Sequence, residues 1–212
     1  MLAGILERAD PFDAFVSNHH DALSGLPAGA VVGTSSLRRQ AQVRALRPDL
    51  QVRDLRGNVQ TRLGKLDAGD YDAILLACAG LERLGLGARI RSRLVAPDWV
   101  PAVAQGAIGI ECREGDTAVA ALFAPLAHAP TTLCVNAERA MNLRLHGSCH
   151  VPVAGFARLQ DGRLHLQGLV GEVETGRCVR AEAEGTAAEA EALGQRVAEA
   201  LLAQGAESML RG

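Results

Sequence analysis

Aromatic residues are scarce, at 3% of the 212-residue chain, so a core has to be built from Leu, Val, Ile and Ala. The 48% hydrophobic content is ample for that, in one large or two small domains. Lysine is almost missing: of 22 basic residues only Lys65 is not arginine. Arginine meets carboxylate or phosphate through a rigid two-pronged fork, which an ammonium group cannot copy. No apolar run approaches the roughly 20 residues a membrane helix needs. The start, Met1-Leu2-Ala3-Gly4-Ile5-Leu6, has no basic stretch and soon meets Glu7, Arg8 and Asp10, unlike a signal peptide. The five cysteines are odd in number and form no C-x-x-C pair, which predicts free thiols in a cytoplasmic protein. A net charge of −2 gives no general drive toward nucleic acid or membrane. No Walker A or G-x-G-x-x-G pattern is present, which disfavours nucleotides. Heptads and internal repeats are also absent.

What is present first is an alternation. Ala28–Gly33, Leu50–Leu55 and Ala73–Ala77 read as strands, and Leu37–Leu46 and Val59–Leu66 as amphipathic helices between them. That order predicts a parallel sheet with helices on both faces, with ligands beyond the carboxyl ends of its strands. Gly33–Arg39 and Arg56-Gly57-Asn58 fall at such ends and face one crevice if both strands are central. Val100–Gly109, rich in small residues, reads as a crossover or hinge. The last third changes pattern: a helix over Thr132–Leu145, strands over Val151–Leu159, Leu164–Leu169 and Cys178–Ala183, an Asp161-Gly162 hairpin and an alanine-rich helix over Ala187–Leu202. It is an α+β unit. The predicted fold is therefore a doubly wound α/β domain plus a C-terminal α+β domain with a three-stranded antiparallel sheet.

Two constellations carry chemistry. In the first, Gly33-Thr34-Ser35-Ser36-Leu37-Arg38-Arg39 joins a strand to a helix start. A helix N-terminus has unpaired N–H groups and partial positive charge, Ser35 or Ser36 can cap it, and two arginines stand beside it. It suits an anion, although an ordinary capped helix with solvated arginines has the same spelling. With Arg56, Arg62 and Arg83 near other strand ends, the set suggests a ligand with several carboxylates or phosphates. Asp54 and Glu82 are expected to pair with the arginine loops, His19 and His20 have no evident partner, and no general acid or base is identifiable. The second constellation is Cys149 in Leu145-His146-Gly147-Ser148-Cys149-His150. Its thiol can be an inert small residue, a nucleophile or a point of attachment for a prosthetic group. A metal site with His146 and His150 fits no common zinc spacing, so none is assigned.

Taken in order, these segments resemble the porphobilinogen deaminases, or hydroxymethylbilane synthases. The matching runs include Asp10–Ser17, Val32–Gln40, Leu55–Leu63, Ala79–Gly85, Gln105–Glu111, Ala137–Asn142 and the Cys149 loop, collinear over essentially the whole chain. The resemblance implies a transferase of porphyrin and heme biosynthesis that joins four porphobilinogen units head to tail, with release of ammonia. It implies a dipyrromethane cofactor bound through a thioether to Cys149. Ser35, Ser36, Arg38, Arg39 and Arg62 would hold the cofactor, and Arg56, Arg62, Arg83 and Gln105 the substrate. It also implies a cytoplasmic monomer without metal, nucleic-acid or membrane partners. Two departures stand out: Gly147-Ser148 where the family usually has Gly-Gly, and Ala104 where a glycine usually precedes the glutamine. The family's first domain carries a His-Ser-x-Lys-Asp segment whose aspartate is catalytic, and no such segment occurs here. The sequence is therefore expected to be an N-terminally truncated member with little or no activity. The resemblance makes residues 1–10 and 106–126 remnants of that first α/β domain, 11–100 the second, both doubly wound and periplasmic-binding-protein-like, and 129–212 the C-terminal domain. Two alternatives are a non-catalytic anion-binding module, since solute-binding proteins share hinged doubly wound domains, and a cysteine hydrolase with His146 or His150 as base.

Overall fold

The computed structural model describes residues 1–147 and 151–210. β1 (Leu2–Ile5) leads through an extended segment to β2 (Asp13–Val16). There follow β3 (Val31–Gly33), α1 (Leu37–Leu46), β4 (Gln51–Arg53), α2 (Val59–Asp67), β5 (Ala73–Ala77), α3 (Cys78–Arg83) and β6 (Ser92–Leu94). Five strands form one sheet in the order β4-β3-β5-β2-β6. β3 is parallel to β4 and β5, as the alternation predicts, but β2 is antiparallel to both β5 and β6. The sheet is thus mixed rather than wholly parallel. β2 arrives ahead of the alternating units, so no strand–helix–strand crossover dictates its direction. β4 is also an edge strand, not a central one.

Both faces of this sheet are covered. Ala73 and Leu75 of β5 join Phe15, Val32, Val43 and Trp99 on the α1 side. Ile74 and Leu76 join Ala14, Val16, Leu63 and Leu81 on the side of α2 and α3. Alternate side chains of one strand thus serve two cores, which is why Ala73–Ala77 reads as an unbroken apolar run.

β7 (Gly109–Glu111) returns to pair antiparallel with β1. After α4 (Thr117–Phe123) and α5 (Ala129–Arg144), the strands β8 (Val153–Gln160), β9 (Arg163–Gly171) and β10 (Cys178–Thr186) make an antiparallel sheet in the order β10-β9-β8. α5 and α6 (Ala190–Ala203) pack on one face around Leu164, Leu166, Val170, Leu193 and Leu201. The other face sets Leu169 and Ala154 against Val100, and α1 packs onto β9. Held between two layers, α1 buries six consecutive residues, Arg38 to Val43. It is not the amphipathic surface helix its sequence suggests.

Two segments connect β1 and β7 to the rest, and they run side by side: Leu6 N–H donates to Ile108 O and Ala9 N–H to Gly106 O, each at 3.0 Å. Glu138 of α5 fastens them. Its carboxylate accepts from Arg8 Nη1 (2.6 Å) and Nη2 (3.2 Å), from Ala104 N–H (2.6 Å) and from Ala157 N–H of β8 (2.8 Å). Among the described residues, no single helix is long and apolar enough to cross a membrane.

Candidate functional site

Parallel pairing brings the carboxyl ends of β4, β3 and β5 to one side of the sheet, with Gly33 in register with Arg53. The three connections that carry the sequence-predicted arginines therefore leave from the same end. At β3, Thr34 N–H bonds Arg53 O at 3.0 Å, and Thr34 Oγ1 accepts from Ser36 N–H at 3.2 Å. Ser36 occupies the N-cap of α1 with extended backbone, yet its side chain makes no capping bond. The expected serine cap is not formed. Ser36, Leu37 and Arg38, at this helix start, line a cleft.

That cleft, about 1180 Å³, is walled by Ser36 and Arg38 from α1, by Arg139, Asn142 and Arg144 from α5, and by Gly147 and Val151. Cys149, Ser148 and His150 lie outside the described residues, but both flanks of that loop line the cleft that α1 opens into. Asn142 and Gly147 close the end of α5: Gly147 N–H donates to Asn142 O at 2.9 Å and Asn142 Nδ2 to Gly147 O at 3.2 Å. A Cβ at Gly147 would meet the Asn142 side-chain amide, so a larger residue there would have to displace Asn142 from this turn.

Behind the cleft wall lies a residue that the sequence did not single out. Asp13, the first residue of β2 and fully buried, accepts six hydrogen bonds. Oδ2 takes Arg38 Nη1 (2.7 Å) and Trp99 Nε1 (2.6 Å). Oδ1 takes Arg38 Nη2 (3.2 Å), Arg39 Nε (3.0 Å) and Nη2 (2.6 Å), and Gln105 Nε2 (3.0 Å). Burial pushes this carboxyl up, but the charges and hydrogen bonds of Arg39 and Arg38 outweigh it and hold it well below the usual carboxylate range. For Arg38, burial lowers proton affinity, Asp13 opposes the change and Arg39 adds to it. Two guanidiniums share one carboxylate, so the buried cluster carries one positive charge in excess. The signal available in the sequence was an acid inside the apolar run Phe12-Asp13-Ala14-Phe15-Val16: a buried charge requires a partner.

The remaining candidates differ in surroundings. Arg62 donates its Nε to Gly57 O at 2.8 Å; burial and the charge of Arg39 depress its proton affinity, which places it electrically beside the cluster. Arg56 is exposed, 3.4 Å from Asp54. Arg83 ends α3 on the surface, and Glu82 pairs with Arg93 at 2.8 Å rather than with an arginine-loop residue, contrary to expectation. Arg38 is the member of the five that lines the cleft. Gln105 has its amide committed, donating to Pro11 O (2.7 Å) and Asp13, while its oxygen meets Arg38 Nη2 at 3.4 Å.

Comparison with known proteins gives a consistent result. The family described as porphobilinogen deaminase, dipyromethane cofactor binding domain, matches residues 1–121, and porphobilinogen deaminase, C-terminal domain, matches residues 132–203. The chain is 64% identical over 209 residues to the porphobilinogen deaminase of Stenotrophomonas maltophilia (strain K279a). It is 60% identical over 210 residues to that of Xanthomonas axonopodis pv. citri (strain 306). In each case 99% of this chain is aligned with 69% of the relative.

Proposed function

The chain belongs to the porphobilinogen deaminase family, and on that premise we propose that the cleft between α1 and α5 holds the family's dipyrromethane group, tethered through Cys149. The family's activity is a transfer in which four porphobilinogen units are joined head to tail and ammonia is released. The observation that carries the assignment is the buried Arg38–Asp13–Arg39 cluster. It is unbalanced by one positive charge and stands at an uncapped helix N-terminus, on the wall that also bears both flanks of the cysteine loop. The cleft exceeds the usual few hundred Å³ of small-ligand sites, room enough for a group of two pyrrole rings.

In this arrangement Arg38 and Arg39 provide the excess charge for the carboxylates of the bound group, and Ser35 and Ser36 add hydroxyl donors. Hydrogen bonds to a desolvated guanidinium are short and strong, so the carboxylates fix the orientation of the rings. Arg62 extends the positive field toward the more exposed Arg56 and Arg83, which suit the acidic side chains of porphobilinogen and of the growing chain. Gln105 acts through Arg38. When bound, the dipyrromethane supplies a terminal pyrrole carbon to which the first unit is joined. Asp13 does not serve as an acid or base, since six donors fix it as a carboxylate.

Residues 11–100 form the arginine-bearing α/β unit in this proposal. Residues 129–212 carry the tether, and 1–10 with 106–126 belong to a further α/β unit. The protein would work as a cytoplasmic monomer. Because the His-Ser-x-Lys-Asp segment is not in these 212 residues, a polypeptide of this sequence is expected to consume little or no porphobilinogen. A porphobilinogen-consumption assay with intact mass spectrometry tests this; robust turnover refutes it.

A further inference from the structure

We infer that Asp13 is a positioning residue for the carboxylate-gripping arginines, setting the geometry of Arg38 and Arg39 without touching the ligand itself. The inference rests on the assignment of Arg38 to a carboxylate-binding site. Asp13 sits at the end of β2 that faces α1, in register with Ala77 of β5 and Leu94 of β6, so its backbone is pinned by two neighbouring strands. Its side chain is fully buried and does not line the cleft. Arg38, which does line it, is held by Asp13 through both terminal nitrogens and by Val100 O at 3.0 Å. Arg39 is held by the same carboxylate through Nε and Nη2 and by Leu75 O at 3.1 Å.

Two guanidiniums with long, flexible stems repel each other, and a single carboxylate between them offsets that repulsion and orients both forks. Trp99 and Gln105 occupy remaining acceptor directions of Asp13, so its own rotamer is fixed as well. A second layer that locks the first in this way is the usual means of holding a binding group within tenths of an ångström.

The sign of the effect separates positioning from the other roles a buried acid can play. Removing the charge in Asp13→Asn makes the cluster more positive. If Asp13 only damped the positive field, the variant would bind an anion more tightly. If it only supported folding, affinity per folded molecule would not change. Positioning requires weaker binding despite the stronger field.

The experiment measures binding of a free dipyrromethane bearing its acetate and propionate groups to the 212-residue chain, prepared without any group on Cys149, by equilibrium dialysis for the unmodified protein, Asp13→Asn, Asp13→Glu and Arg38→Leu, each corrected for its folded fraction from a thermal melt. Asp13→Glu keeps the charge but moves it by a methylene. At least a tenfold rise in Kd is expected for each Asp13 variant that folds. Unchanged or tighter binding overturns the inference, as does failure of both Asp13 variants to fold, which makes Asp13 a folding residue. If the unmodified chain binds nothing, or Arg38→Leu binds as well as it does, the site assignment itself fails and takes the inference with it. Weakening by Arg38→Leu alone sinks only the inference.

Discussion

Ala104 has a backbone φ of 57°, in the left-handed region, and its N–H donates to Glu138 at 2.6 Å. It lies on the crossover beside Gly106, whose φ is 82°. An L-residue held there costs roughly 1–2 kcal/mol relative to right-handed backbone, a penalty glycine escapes. Against this, replacing alanine by glycine loosens the unfolded chain, at a cost of about 0.4–1 kcal/mol. The difference predicts that Ala104→Gly stabilises the protein by about 0.5–1 kcal/mol, a rise in Tm of ~1–4 °C for a chain of this size. The control lies two residues on. At Gly106 a new Cβ would come 2.7 Å from Ala9 O and 2.9 Å from Asp10 O, both backbone atoms that cannot swing away. Gly106→Ala is therefore expected to cost ~2 kcal/mol or more. Calorimetry of the two variants beside the unmodified chain decides the matter. A lowered or unchanged Tm for Ala104→Gly, or shifts of the same sign in both, refutes the reasoning.

Two further outcomes follow from the buried charges. Glu138→Gln leaves Arg8 without its counter-charge and turns an amide N–H₂ toward groups that are all donors, so a loss of roughly 3–5 kcal/mol is expected; an unmoved urea midpoint contradicts the clamp described for Glu138. Asp13 has a folded pKa held below its ordinary 3.8, so the stability it contributes is complete above that value and is lost as pH falls through it toward the lower folded value. Thermal melts of the unmodified chain should thus decline steeply in acid, while Asp13→Asn, less stable at neutral pH, declines less steeply; parallel acid limbs exclude this role for Asp13.

Much of the fold was legible where local signals agreed. α1 runs from Leu37 to Leu46, stopped just ahead of Pro48, and β5 spans Ala73–Ala77, both as read. The Asp161-Gly162 turn and the three strands around it are where the alternation puts them. β2 and β6 escaped because four and three residues are too few to show a period. The reversed direction of β2 is a property of the assembled sheet rather than of its own residues. In the site, the sequence placed arginines at strand ends, and parallel pairing does bring those ends together. It could not tell which guanidiniums turn inward. Neighbouring helical residues point about 100° apart, yet Arg38 and Arg39 converge on one carboxylate because their stems are long enough to wrap around it. Ser35 or Ser36 was expected to cap the helix, but capping is one of several uses of a hydroxyl, and at the N-cap Ser36 the side chain makes no capping bond.

Trp99 is the chain's sole tryptophan, and its indole N–H is bonded to the acid at the centre of the arginine cluster. The molecule thus carries a native fluorophore wired to a buried carboxylate shared by two arginines. Disturbance of that hub changes the polarity the indole senses, so assembly of this region can be followed in ultraviolet emission from an unlabelled sample, with no competing signal from another indole.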